Sequence, residues 1–129
     1  MAKTINVSPN DDLQTVLDNA SDGDIVVLAN GKYKGNFIIN SAIKLTGSKD
    51  AILDGNGQGN TITINSNHVT IKNISVKNWG DDLTEQNAGI YCDFGSKNLT
   101  IESNYISGDT FGIWLKKSTH GIVANNTIV

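Results

Sequence analysis

Arginine is absent from these 129 residues: all ten basic side chains are lysine, and the net charge is −3. With neither a basic stripe nor a guanidinium fork to grip phosphate, the chain is not expected to bind nucleic acid. The single cysteine, Cys92, cannot form an intramolecular disulfide and leaves the redox compartment open. No apolar run approaches the ~20 residues of a membrane-spanning helix. Met1-Ala2-Lys3 leads straight into Thr4-Ile5-Asn6-Val7 rather than into the apolar core of a signal peptide, so the chain as written is expected to stay in the cytoplasm. Proline occurs once, at Pro9, and the length suits one domain with one elongated core.

What the chain has instead is glycine, thirteen times, and short runs of Ile, Val, Thr and Asn. Between Asn67 and Val129 one phrase is repeated three times. His68-Val69-Thr70-Ile71-Lys72-Asn73-Ile74-Ser75-Val76 is echoed by Asn98-Leu99-Thr100-Ile101-Glu102-Ser103-Asn104-Tyr105-Ile106, then by His120-Gly121-Ile122-Val123-Ala124-Asn125-Asn126-Thr127-Ile128. Ile101 and Val123 are 22 residues apart, and Gly89-Ile90 recurs as Gly112-Ile113 after 23. A period just above 20, built from β-branched runs and asparagine-rich bends, is the pattern of a solenoid in which each repeat is one turn of a coil. One repeat cannot bury its own apolar face, so the copies must stack.

The strands can be laid over one another by this period. Phe37/Ile39, Ile62/Ile64, Ile90/Cys92 and Ile113/Leu115 form one inward ladder; Ile43/Leu45, Val69/Ile71, Leu99/Ile101 and Gly121/Val123 form a second. A third holds Ile74/Val76, Asn104/Ile106 and Asn126/Ile128, with Ile52/Leu53 one coil earlier. Three ladders per coil predict an all-β, right-handed parallel β-helix of about four to five coils, the hand following from the general preference of parallel crossovers. Asn104 and Asn126 stand where stacked amides can hydrogen-bond along the axis.

Residues 1–23 differ in kind. Ser8 can cap a helix, Pro9 suits its first position, and Asp11 and Asp12 complement the dipole. Leu13, Val16, Leu17 and Ala20 fall on one helical face before Gly23 stops it. This segment is expected to be an N-terminal strand and capping helix, with residues 24–129 forming the coils.

Two loops interrupt the coil, at Asp54–Asn60 and at Trp79–Asn87, the latter stretching one repeat from 22 to 30 residues (Ile71 to Ile101). Loops projecting from a rigid scaffold concentrate specific contacts. Asp81, Asp82, Glu85 and Asp93 are the carboxylates that could serve as an acid and base on acidic polysaccharides. Adjacent Asp81 and Asp82 project in different directions, and no arginine is present to hold a substrate carboxylate, so no catalytic site is expected. The same carboxylates suit calcium chemically but lack a spaced D-x-D pattern.

Soft-metal donors are few: His68, His120, Cys92 and Met1. The repeat places His68 and His120 in one turn two coils apart, about 9.6 Å by the strand spacing, with Asn98 between. That is too far to share an ion with ligands at ~2 Å. Cys92 alternates inward with Ile90 and reads as a small core residue. On the outward face, Ile38, Thr63, Tyr91 and Trp114 fall on successive coils, as do Asn40, Asn65, Asp93 and Lys116, with Asp93 and Lys116 expected to pair. Trp79, Asp81, Asp82, Glu85, Tyr91 and Trp114 therefore form the candidate partner-contact surface.

Several segments together resemble the N-terminal half of the NosD family: Ser21-Asp22-Gly23-Asp24 through Gly31-Lys32-Tyr33-Lys34-Gly35, Ile43-Lys44-Leu45-Thr46-Gly47, Ile52-Leu53-Asp54-Gly55-Asn56-Gly57, Gly80-Asp81-Asp82-Leu83 with Ala88-Gly89-Ile90, and Phe111-Gly112-Ile113-Trp114-Leu115. The resemblance implies a periplasmic, non-enzymatic β-helix accessory protein that works with an ABC transporter and a copper-donor lipoprotein to supply copper to nitrous oxide reductase. Copper is implied by the resemblance alone. The early aspartate-glycine-aspartate and glycine-lysine-tyrosine phrases are shared with carbohydrate-binding and sugar-hydrolase β-helices, which gives the alternative reading; a structural solenoid fragment without retained activity is a third. The chain is expected to be a truncated N-terminal fragment, ending partway through a coil and prone to end-to-end association or swapping.

Overall fold

The computed structural model describes residues 2–92, 95–108 and 110–129. Strand β1 (Thr4–Val7) and helix α1 (Leu13–Asn19) precede a regular coil. The first turn of the coil is β2 (Ile25–Leu28), β3 (Gly31–Lys34) and β4 (Phe37–Ile39); the second is β5 (Lys44–Thr46), β6 (Ala51–Asp54) and β7 (Ile62–Ile64). The third comprises β8 (Thr70–Lys72), β9 (Ser75–Lys77) and β10 (Ala88–Cys92), and the fourth β11 (Thr100–Glu102), β12 (Tyr105–Ser107) and β13 (Phe111–Leu115). A fifth turn begins with β14 (Ile122–Ala124) and β15 (Thr127–Ile128).

Three parallel sheets result: six strands in the order β1-β2-β5-β8-β11-β14, five in the order β15-β12-β9-β6-β3, and four in the order β13-β10-β7-β4. This is the right-handed parallel β-helix expected from the repeat. The registers agree with the expected ladders except at Ile52, which pairs with Ser75 on the outer face while Ala51 takes the inward place beside Leu53. Leu45 lies on Ile71, Ile71 on Ile101 and Ile101 on Val123; Ile62 lies between Phe37 and Ile90, and Ile90 on Ile113. Leu53, Val76, Ile106 and Ile128 stack in the third sheet. One continuous column of Ile, Leu and Val fills the interior from Val7 to Ile106, because short alternating runs send every second side chain inward.

The bends follow from left-handed backbone. Asn73, Ser103 and Asn125 have φ of 59°, 58° and 56° in one column, and His68, Asn98 and His120 have 56°, 57° and 55° in another. Asn and His enter this region more readily than β-branched residues do. Inside the first of these bends runs the asparagine ladder. Asn104 is buried; its Nδ2 donates to Ile71 O (3.0 Å) and Asn126 Oδ1 (3.1 Å), and its Oδ1 accepts from Ile74 N–H (3.2 Å).

The N-terminal end departs from expectation in one respect. The helix starts at Leu13, capped by the Asp12 side chain accepting from Thr15 N–H, and not at Pro9. Asp11 captures the Ser8 N–H (2.8 Å) and hydroxyl, and its own N–H donates to Ser8 O, so residues 8–11 form a tight turn instead. From α1, Gln14 reaches the outer edge of β4: its amide donates to Ile38 O (2.9 Å) and accepts from Ile38 N–H (2.8 Å), standing in for a neighbouring strand.

Two buried carboxylates brace the first coils. Asp24 accepts from Ser21 N–H and Lys3 N–H, and these bonds, with the Lys3 ammonium, hold its carboxyl below the usual value. Burial pushes Asp54 up, but Asn56 N–H and Asn78 Nδ2 (both 2.8 Å), with Lys32 and Lys77, outweigh it and leave the pKa lowered. A carboxyl depressed on folding contributes stability that is complete above its unfolded value, about 3.9 for Asp, and is lost as pH falls through the folded one. Urea unfolding is therefore expected to weaken progressively below about pH 4, with Asp24→Asn and Asp54→Asn each flattening that slope; an unchanged acid slope in both variants would contradict the assignment.

Candidate functional site

The long insertion leaves β9 at Lys77 and rejoins the coil at Ala88. Although ten residues long, from 78 to 87, it is fastened at both ends. Trp79, expected on the contact surface, is instead buried at 6% exposure, its ring packed over Gly89 and Gly108. Its Nε1 donates to Thr110 Oγ1 (2.9 Å), and the Thr110 hydroxyl faces the carbonyls of Asn87 (3.0 Å) and Gly80 (3.3 Å). Trp79 thus belongs to the loop's anchor and not to a partner-facing surface; two glycines on successive coils leave the space that a large apolar ring fills.

Within the loop, backbone needs are met locally. Gly80 N–H donates to Gly59 O (2.9 Å), and a Cβ at Gly80 would collide with Asn87 Oδ1 and Gly59 N. Asn87 is buried and exchanges bonds with Asp82: its Oδ1 accepts Asp82 N–H (3.1 Å), and its N–H donates to Asp82 O (3.0 Å). The Asp82 carboxylate in turn accepts Thr84 N–H (3.0 Å) and Glu85 N–H (3.1 Å), closing an Asx-type turn. One of the two adjacent aspartates is therefore occupied in shaping the loop. Asp81, Leu83 and Glu85 project to solvent, Leu83 at 61% exposure.

Beside the loop stands the outward column of the four-stranded sheet. Ile38 pairs with Thr63, Thr63 with Tyr91, and Tyr91 with Trp114, in the expected register. Trp114 is half-buried because Phe111 packs on it with ring centroids 4.8 Å apart at 58°, a partner the repeat alignment did not single out. Among the described residues the buried Trp114 Nε1 has no hydrogen-bond partner. The loop thus enters β10 at Ala88, while Tyr91 and its neighbour Trp114 stand toward the strand's other end. The expected Asp93–Lys116 pair, and Asp93 as an acid or base, lie outside the described residues.

The donor set was tested against copper, the metal that the resemblance implies. His68 and His120 occupy the same left-handed bend with Asn98 between them, and Asn98 Nδ2 lies 3.2 Å from His68 Nδ1. Cys92 is fully buried, its Sγ 3.1 Å from Ser96 Oγ, pointing into the core and away from both imidazoles. Among the described residues no three His, Cys, Asp or Glu side chains converge on a common point. Met1 lies outside the described residues. No helix among those described is long and apolar enough to cross a membrane.

Comparison with known proteins gives a consistent picture. The profile of the family described as "Periplasmic copper-binding protein (NosD)" matches residues 5–129. A "Probable ABC transporter binding protein NosD" from Pseudomonas aeruginosa is 36% identical over 101 residues, covering 78% of this chain and 24% of that protein. A protein of the same name from Stutzerimonas stutzeri is 26% identical over 98 residues, covering 76% of this chain and 22% of its own length. The chain thus spans about a quarter of these relatives.

Proposed function

Since the chain belongs to the NosD family, we propose that it acts as a non-enzymatic docking scaffold in copper delivery to a copper enzyme, nitrous oxide reductase by family resemblance. The observation that carries this reading is the 78–88 loop: fastened by Trp79, Asn87 and Asp82, it presents Asp81, Leu83 and Glu85 to solvent, and the Tyr91/Trp114 face of β10 and β13 completes the proposed contact surface. A preorganised loop with one exposed leucine amid carboxylates loses little entropy on docking and suits a protein surface bearing an apolar pocket ringed by cations. An ABC transporter and a copper-donor lipoprotein are the further partners proposed. Copper passes between those proteins, and these coils hold the partners in place rather than ligating the ion.

The test pairs two measurements on the intact chain. In interferometry against immobilised copper-free reductase, Leu83→Asp and Glu85→Lys are expected to weaken binding by about tenfold or more, the loss of one well-packed contact or ion pair, with circular dichroism unchanged. In a competitive Cu(I) titration the chain is expected to take up no stoichiometric metal, as are its Cys92→Ser and His120→Ala variants. Tight uptake abolished by either variant would make the chain a metal carrier and overturn the scaffold reading, as would loop variants that bind the reductase undiminished.

A further inference from the structure

A cavity lies on the outer face of the five-stranded sheet. It is a groove of about 290 Å³ beneath the turn that carries Lys49 and Asp50, floored by Ile52 and Ser75 and closed by Lys77, Tyr105 and Ser107. Registers place Ile52, Ser75 and Tyr105 side by side on successive coils, with Lys77 and Ser107 beside them. The turn is tied down from below, Ser75 Oγ donating to Lys49 O (2.5 Å). Tyr105 stands as a partition, for its ring also walls a second cavity of about 210 Å³, and Lys49 overhangs both with its ammonium 5.0 Å from the ring centroid.

These groups form a specific set. An aromatic ring with open space on either side offers a platform for the C–H face of a sugar. Hydroxyls of Ser75 and Ser107 and the Asp50 carboxylate offer partners for ring hydroxyls. Two ammonium groups offer charge for an anion. A bare phosphate would leave the aromatic wall unused, and a neutral sugar would gain nothing from Lys49 or from Lys77, which shares Asp54 with Lys32 and so keeps charge to offer an anion. We infer that the Tyr105 groove binds an acidic saccharide, with consecutive uronate residues placed on either side of the tyrosine and a carboxylate on Lys77 or Lys49. At about 290 Å³ the larger cavity sits at the lower end of small-ligand sites, roughly 300–1,000 Å³, which matches one sugar ring in each half. No histidine or cysteine lines either cavity, so this inference is independent of the copper-delivery reading.

The experiment is a heteronuclear NMR titration of the full chain with trigalacturonate, and in parallel with the neutral galactose trimer and inorganic phosphate. Trigalacturonate is expected to shift the amides of residues 49–52, 75–77 and 103–107, and the neutral trimer to bind about tenfold more weakly, the worth of one charge-assisted hydrogen bond. Lys77→Gln should erase the preference for the acidic trimer, and Tyr105→Thr, which keeps a strand-forming residue beside Thr127 and Ser75, should weaken both trimers while leaving the spectrum dispersed. The inference is overturned if the acidic trimer leaves those amides unmoved, if the neutral trimer binds equally, or if phosphate alone reproduces the shifts.

Discussion

Replacing Trp79 with alanine is expected to lower folding stability by about 3–5 kcal/mol and to release the loop that follows. The indole fills a space between two coils; its ring atoms come within 3 Å of where a Cβ would stand on Gly89 or Gly108. Removing it leaves a cavity in a column otherwise packed without interruption, and strands the Thr110 hydroxyl that links the carbonyls of Gly80 and Asn87. Against a domain stability of about 5–15 kcal/mol this is a large fraction. Guanidinium unfolding measures the global loss, and hydrogen exchange at residues 80–88 measures the local one. Gly108→Ala provides the converse test. Gly108 has no positive φ that an alanine would strain, yet its new methyl would lie 2.8 Å from the indole, so the ring must move. A Trp79→Ala protein as stable as the parent, with the loop amides equally protected, would show that the indole is not the anchor.

The coil itself was legible from the sequence because its signal is redundant. Ile71, Ile101 and Val123 announce the same inward position three times, and each wrong register would turn an entire ladder outward. The shared bend of His68, Asn98 and His120, the inward Cys92 and the stacked Asn104 and Asn126 were readable for the same reason. What occurs once was harder to read. The helix start moved because Asp11 binds Ser8, the expected cap, while Asp12 caps four residues later, a contest of local hydrogen bonds that propensity alone does not decide. Trp79 beside Gly-Asp-Asp resembles a surface loop residue; only the coincidence of small Gly89 and Gly108 on neighbouring coils hints at a pocket for it. The Tyr105 groove was missed altogether, since it depends on how far the Lys49 turn overhangs the sheet, a tertiary distance without a sequence period.

The second large effect concerns association. The 129-residue chain is expected to form a closed dimer through its last coil. Ile122, Val123, Ile128 and Val129 are 50–66% exposed there, and β13, β14 and β15 are the outermost strands of their sheets, with unpaired backbone groups. The opposite end is partly shielded: Gln14 bonds both backbone groups of Ile38 on the β4 edge and Pro9 packs on Gly31 of β3. Head-to-tail stacking would set the open strands of the last coil against these blocked edges, leaving apolar surface wet. Tail-to-tail pairing covers both open ends at once and leaves nothing to propagate, which favours a two-fold dimer over a filament. Light scattering across a concentration series should therefore approach twice 13.8 kDa and stop. Val123→Lys combined with Ile128→Lys, both at exposed positions, should return the mass to a single chain without loss of β structure, because each buried ammonium would need a partner that the interface lacks. A single-chain mass at every concentration would refute the association, and a mass that grows without limit would refute the tail-to-tail geometry. Extending the chain by one repeat should abolish the dimer as effectively as the lysines do, because the added coil would cover this surface.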